Sequence, residues 1–563
     1  MKSIVRTRSV EAIMKKRLLR RLALSICLLM ATCVAYARDG EVTLYTLNHL
    51  QSHLLPVKST AKRSLPAMGG LCAATGIVNA DMKKSVNPIF VATGEAVAGT
   101  MWRYFKGRPE MIALERAGIA VNSLGKHEFD YGLGHLKAAL SVSRVPVVIS
   151  NLVTQDPELL GILQKNVVLQ AGDMKVGFFG LLSPAIMRLT NQPEGVSFDP
   201  DFSAVAREMV DDLRRKGADV IVLLSGLYEN ESVALARSVA GIHVITGCGS
   251  PVREADKPIF IKDPEGGKTV LIWSGVWGQF VGRLGIRIKD GRLDARRTSW
   301  KLLPIRDRAA PDPGVLEVAL EYEDKLARAL SRVLGSFEHP LDTRSKTLRT
   351  GEAPIGNFIT DSMRFKASAD VALINSGGIR GGTIYPAGEF SERTLADILP
   401  FGDRIFVLTL TGKELRRVLE ISASALIAGE ADAYDPTKRL HKGSVLQVSG
   451  LKAVYDLSEP PTVMKDDRVL TLGSRLKSLL VLKDGGWEEV TDEGTYTVAT
   501  TGWMVNGGDG EKYEVLRNAP RIETPYLDTD AFAEYLAVGC RGKADPRKEG
   551  RIIVTGRGGE RPL

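Results

Sequence analysis

From residue 42 to about residue 303, short runs rich in Val, Ile and Leu recur between longer amphipathic segments, and this pattern constrains the chain most. Residues 43–47, 89–92, 145–150, 176–182, 220–224, 244–246 and 270–273 are each almost continuously apolar. Runs of that kind belong to strands covered on both faces, whereas half-exposed strands alternate. The amphipathic segments between them supply helical cover. Each run ends in a loop rich in Gly, Ser or Asn, and loops at the carboxyl ends of strands are where α/β folds build their sites.

A chain of 563 residues is too long for one hydrophobic core, so two or three domains are expected. The first spans 38–305. A polar, proline-bearing linker follows, in which Asp312 reads as an N-cap and Pro313 as the first helical residue. This helix is expected to run to about Leu334, with Leu316, Leu320, Leu326, Leu330 and Leu334 near one face and Gly335 closing it. Glu321 and Lys325 form a favourable i,i+4 pair. Linker and connecting helix occupy 306–336, a second α/β unit 337–555, and a Gly- and Arg-rich tail 556–563.

The amino terminus carries an export pattern. Lys15, Lys16, Arg17, Arg20 and Arg21 precede an apolar run and the small-x-small triplet Ala35-Tyr36-Ala37, so residues 1–37 read as a cleaved signal peptide. The run is too short to span a bilayer, and no stable membrane anchor is expected after cleavage. The protein is therefore expected to be periplasmic or secreted. The signal carries eight Lys or Arg and one Glu, so the whole-chain charge of +9 falls to about +2 without it. This removes the argument for a polymeric nucleic-acid partner. Cys72, Cys248 and Cys540 remain, widely spaced and without a metal-binding pattern, and are expected as buried free thiols.

Five sequence blocks in the second unit carry chemistry. Gly356-Asn357-Phe358-Ile359-Thr360-Asp361 and Asn375-Ser376-Gly377-Gly378-Ile379-Arg380 are followed by Pro400-Phe401-Gly402, Leu446-Gln447-Val448-Ser449-Gly450 and Asn506-Gly507-Gly508-Asp509-Gly510. Glycines allow close backbone approach to a ligand, and an arginine offers a planar, permanently charged fork for phosphate oxygens. The first unit carries Gly125-Lys126-His127-Glu128-Phe129-Asp130. In content and order these blocks resemble the 5′-nucleotidase family: a calcineurin-like metallophosphoesterase domain, an αββα sandwich, followed by an α/β nucleotide-recognition domain. The resemblance covers essentially the whole chain after the signal. It implies that Arg349, Asn375, Gly378 and Arg380 contact the nucleotide and that Asp509 binds ribose hydroxyls. Trp503 would stack on the base, while the second aromatic position is Val445.

The resemblance also implies seven metal-ligating side chains, and all seven positions differ. His49 and Gln51 replace an Asp-x-His pair, Glu95 a bridging aspartate, Lys126 an asparagine, Gly226 a histidine, and Gly249 and Pro251 two more histidines. A protonated lysine has three donors and no acceptor, so Lys126 opposes a cation instead of binding one. The family's catalytic dyad is retained as His127 and Asp130, three residues apart and able to share one side of a helical turn.

Three functions follow from this mixture. The first is an exported protein that binds a nucleotide or another phosphate-bearing small molecule, with Lys126 supplying the charge of a lost metal, no cofactor, and dinuclear hydrolysis lost or strongly impaired. The second is an active phosphoric-ester hydrolase using Mn, Zn or Mg on rearranged ligands, His49, Glu95 and His53 with His127 assisting. The third is a scaffold that keeps only the fold and has a protein partner.

Overall fold

The computed structural model describes residues 39–56, 69–187, 193–247, 257–306, 309–426, 442–465, 468–508 and 510–556. The export segment, Cys248, Gly249, Pro251 and Asp509 lie outside the described residues.

Two sheets face each other in the first domain. One has the order Arg292–Leu293, Phe280–Lys289, Gly40–Leu47, Pro88–Ala92, with Ser299–Pro304 also paired to Phe280–Lys289. The other has the order Ile259–Lys262, Lys268–Ile272, Val244–Thr246, Val220–Gly226, Met174–Leu182, Asn166–Ala171. Its four central strands are parallel and its two edges antiparallel. Val42, Leu44, Ile89 and Val91 of one sheet meet Val176, Phe178, Val222 and Leu224 of the other in a fully buried layer. Each such side chain contributes about 1.5–3 kcal/mol of burial, which explains the unbroken apolar runs. Helices Leu71–Met82 and Arg108–Arg116 cover the outer face of the first sheet, and Phe202–Arg215 and Glu229–Ser238 that of the second.

The expected strand at 145–150 is reduced to Val147–Val148. The long antiparallel strand Phe280–Lys289 was not expected; Gly282 and Gly285 interrupt its apolar pattern. Gly282 lies against Trp300, where a Cβ would fall 2.5 Å from the ring.

The connecting helix is shorter than expected. It spans Pro313–Ala329, capped by Asp312, whose Oδ1 accepts from the Val315 amide at 3.0 Å. Leu334 and Gly335 lie in the strand Val333–Phe337. The buried face is Val315, Val318, Ala319 and Leu326, while Leu320 is 52% exposed. Val315, Val318 and Ala319 enter the first domain's core, and Leu326 and Leu330 pack with Met101, Phe105 and Ala396 where the two domains meet.

The second domain is built on a five-stranded sheet ordered Leu446–Ser449, Val371–Asn375, Thr495–Thr501, Arg404–Thr411, Arg521–Leu527. Helix Pro354–Ala367 covers one face and Gly412–Ser424 the other. A four-stranded sheet, Gly486–Glu489, Leu476–Lys483, Leu451–Asp456, Ile552–Thr555, completes it. Cys72 is a buried free thiol and Cys540 a half-buried one.

Candidate functional site

Three loops of the first domain converge beyond the carboxyl ends of adjacent strands. Parallel pairing sets Leu47 opposite Ala92, so the segments that follow start side by side. They are stitched by Gln51 N–H to the Glu95 carbonyl at 2.8 Å and Ser52 N–H to the Ala96 carbonyl at 2.9 Å. His49, Gln51 and Glu95 all adopt positive φ, at 46°, 49° and 53°, a conformation that side chains rarely hold unless surrounding contacts impose it.

Those contacts meet at one carboxylate. Glu95 is 3% exposed. Lys126 Nζ lies 3.2 Å from its Oε2 and 3.4 Å from its Oε1, and the Lys126 amide donates to Oε1 at 2.9 Å. His127 Nε2 stands 3.3 Å from Oε2, His49 Nδ1 3.7 Å, and Gln51 Nε2 3.5 Å. Burial alone raises the Glu95 carboxyl, but His127, Lys126 and His49 together hold it well below the usual carboxylate range. Gly125 makes the approach feasible, since a Cβ there would fall 2.5 Å from Glu95 Cγ.

The dyad forms as the spacing predicts. His127–Phe129 is a single 3₁₀ turn, and His127 Nδ1 lies 2.7 Å from Asp130 Oδ2. Nε2 is thereby directed to Glu95 and to Lys126 Nζ at 3.1 Å. Glu128 holds the loop from behind: Oε1 accepts from the Ala96 amide at 2.7 Å and Oε2 from the Gly125 amide at 2.8 Å. Burial and the neighbouring Glu95 charge push its carboxyl up to about 7. Trp277 was missed by the sequence reading. Its Nε1 donates to Gln51 Oε1 at 2.9 Å, and its ring stacks on His53 at 4.8 Å. His53 turns Nδ1 to the carbonyls of Leu50 and Gln51. Trp277 lies some 226 residues beyond Gln51 in the chain, so only the fold reveals the contact.

Arg380 comes from the second domain to the same place. Its amide donates to the Ile398 carbonyl at 2.8 Å, and its guanidinium sits 5.4 Å from the Phe401 ring centroid. Burial pulls the guanidinium down, while the charges of Asp130 and Glu95 and the nearby Tyr131 counter it, so it faces the first domain's loops. Asn375 ends the strand Val371–Asn375 and is buried; Gly378 lies beyond it, with its amide on the Asn375 carbonyl at 3.0 Å. Arg349 is half-buried at the end of the turn Ser345–Leu348.

Two of the five sequence blocks serve the frame. Gln447 Nε2 donates to the carbonyls of Leu348 and Gly351, each at 2.9 Å, and its Oε1 accepts from the Ala353 amide at 3.0 Å. This fixes the segment that carries Arg349, and the Gln447 side chain occupies the space a Cβ on Gly356 would need. Asp361 accepts from Ser449 Oγ at 2.6 Å and makes a two-point bridge to Arg551 at 2.7 and 2.8 Å. Trp503 is half-buried against the core, with Gly508 so close that a Cβ there would fall 2.2 Å from the indole. Val445 is buried, with 1% exposed, inside the same core.

An αββα first domain with its site at strand ends, joined to an α/β domain that delivers an arginine to it, defines a two-domain protein of phosphoesterase architecture. A family model for the 5′-nucleotidase C-terminal domain matches residues 333–518. The crystal structure of a 5′-nucleotidase precursor from Thermus thermophilus is 30% identical, with a TM-score of 0.73, covering 92% of this chain and 99% of that one. The 5′-nucleotidase of Homo sapiens is 26% identical over 518 residues, covering 85% of this chain and 86% of that protein. The trifunctional nucleotide phosphoesterase protein YfkN of Bacillus subtilis is 25% identical over 514 residues; these are 84% of this chain but only 33% of YfkN, so the chain spans about a third of that protein. The chain belongs to the 5′-nucleotidase family, whose members act on nucleotides. Among the described residues no helix is long and apolar enough to cross a membrane.

Proposed function

We propose that this chain is an exported nucleotide-binding protein on the 5′-nucleotidase frame, in which an ammonium group replaces divalent cations and hydrolysis is lost or strongly impaired. One observation carries the reading: Lys126 Nζ sits on the Glu95 carboxylate, the place from which a bridging ligand would hold two metals. The donor set does not fit a metal pair. Lys126 brings a competing positive charge, and Gly226 has no side-chain donor. His49, Gln51 and His127 are directed to Glu95, which is already compensated.

Phosphate-ester hydrolysis by this architecture relies on paired cations to activate water and neutralise the phosphoryl oxygens. Phosphate monoesters require accelerations up to ~10²¹, so two protein cations leave binding without effective turnover. For binding they suffice. Lys126 and Arg380 approach from opposite domains, and a phosphate between them gains charge-assisted hydrogen bonds. His127, oriented by Asp130, adds a donor when protonated. Arg349 and Asn375 line the second domain's side, and Trp503 offers one aromatic shelf with the aliphatic Val445 at the other position. Asp509 is assigned to the ribose. The export signal supports a periplasmic or secreted location.

The test is phosphate release from a nucleoside 5′-monophosphate with excess Mn²⁺, Zn²⁺ or Mg²⁺. Release at the rate of buffer alone is expected with each ion. Metal-dependent release that disappears in His127→Ala would overturn the proposal in favour of a rearranged hydrolase.

A further inference from the structure

A hydroxyl of the first domain grips the segment that mounts Arg380. Tyr131 follows Asp130 directly in the chain and precedes the helix Gly132–Leu140. Its OH donates to the Pro400 carbonyl of the second domain at 2.8 Å, across a sequence separation of 269 residues. The ring is held by Trp102, whose centroid lies 5.9 Å away, and by His135 at 5.2 Å. Trp102 is fully buried. Burial and the Asp130 charge raise the phenol above its ordinary value, so the hydroxyl keeps its proton and remains a donor.

Pro400 belongs to the short segment that supports Arg380. Ile398 ends the helix Glu392–Ile398, and its carbonyl, one of those a helix end leaves without an internal partner, accepts from the Arg380 amide at 2.8 Å. Phe401 follows Pro400, and its ring centroid lies 5.4 Å from the Arg380 guanidinium. The backbone and the guanidinium of Arg380 are thus held by residues on either side of the carbonyl that Tyr131 grips. Arg103 Nη1 stands farther off, 3.5 Å from the same oxygen, so Tyr131 supplies the closer donor. A continuous path results. His127 Nδ1 meets Asp130 at 2.7 Å, one peptide bond leads to Tyr131, its hydroxyl reaches Pro400 at 2.8 Å, and one more peptide bond leads to Phe401 beside Arg380.

We propose that Tyr131 is a positioning residue for the anion site: its hydroxyl ties the loop of Lys126 and His127 to the segment that mounts Arg380, and so sets how far the guanidinium stands from that loop. The inference rests on the nucleotide-binding reading and adds to it a residue that touches no ligand. A phosphate bridging cations from two domains gains fully from both only when their separation is set in advance, because ordering them on binding costs affinity. Removing the hydroxyl leaves Lys126, His127 and Arg380 in the chain and takes away only the tie between their supports.

Phosphorus NMR titration of adenosine 5′-monophosphate with the full chain, EDTA present, tests this and resolves weak as well as tight binding. Tyr131→Phe keeps the ring and its contacts with Trp102 and His135, so far-UV circular dichroism is expected to be unchanged. Its affinity is expected to fall about fivefold, the worth of one neutral hydrogen bond. Arg380→Lys keeps a cation but loses the planar fork. In that background Tyr131→Phe is expected to change affinity by less than about twofold, because residues that act through one another are not additive. Equal affinity of Tyr131→Phe and the unsubstituted chain overturns the proposal and leaves the nucleotide-binding reading standing. So does an equal loss in both backgrounds, since the hydroxyl then does not act through Arg380. If the unsubstituted chain binds no nucleotide, the nucleotide-binding reading fails and this proposal with it.

Discussion

At the residue scale, Lys126 decides what the Glu95 hub is. Its side chain is 17% exposed and that of Glu95 4%, so this is an ion pair largely out of water. Removing one member of such a pair leaves an uncompensated charge and costs about 3–5 kcal/mol. Lys126→Met, similar in length, is expected to cost about 3 kcal/mol on that basis, read as a lower urea midpoint. An unchanged midpoint would mean that Glu95 does not depend on the ammonium. The lysine itself was legible in the chain, because it interrupts a recognisable loop. Its partner was not. Glu95 stands 31 residues earlier, and the parallel bridge between Val91 and Val121 sets its loop beside the one that carries Lys126.

At the scale of elements, apolar patterning located strands where burial is complete and failed where it is not. The four central strands of the second sheet, and Gly40–Leu47 and Pro88–Ala92 of the first, were visible as apolar runs. Phe280–Lys289 was hidden because two glycines and three charged residues break its pattern while neighbouring strands and Trp300 complete its burial. The connecting helix shows the converse. Its N-cap was evident from Asp312-Pro313, but its leucine stripe is only partly buried: Leu326 and Leu330 pack at the domain junction while Leu320 is exposed, and the first domain takes up Val315, Val318 and Ala319. The cap joins two structures: Asp312 Oδ1 serves Val315, and Oδ2 accepts from Asn79 Nδ2 at 3.1 Å. Asp312→Ala is therefore expected to destabilise the first domain by about 1 kcal/mol, seen as a lower thermal midpoint. No change would show that the helix is held by packing alone.

At the scale of the whole molecule, the proposed anion site draws on both domains. The first contributes Lys126 and His127 on a loop braced by Glu128; the second contributes Arg380, with Arg349 on a segment tied down by Gln447. The fold is that of its relatives, and Glu95 stands here in a network with Lys126, His127 and His49. The most direct test is calorimetric titration of a nucleoside 5′-monophosphate into the full chain with EDTA present. Binding is expected to persist in EDTA with unchanged affinity and to be lost in Arg380→Ala. Absence of binding in EDTA, restored by a divalent cation, would contradict the account.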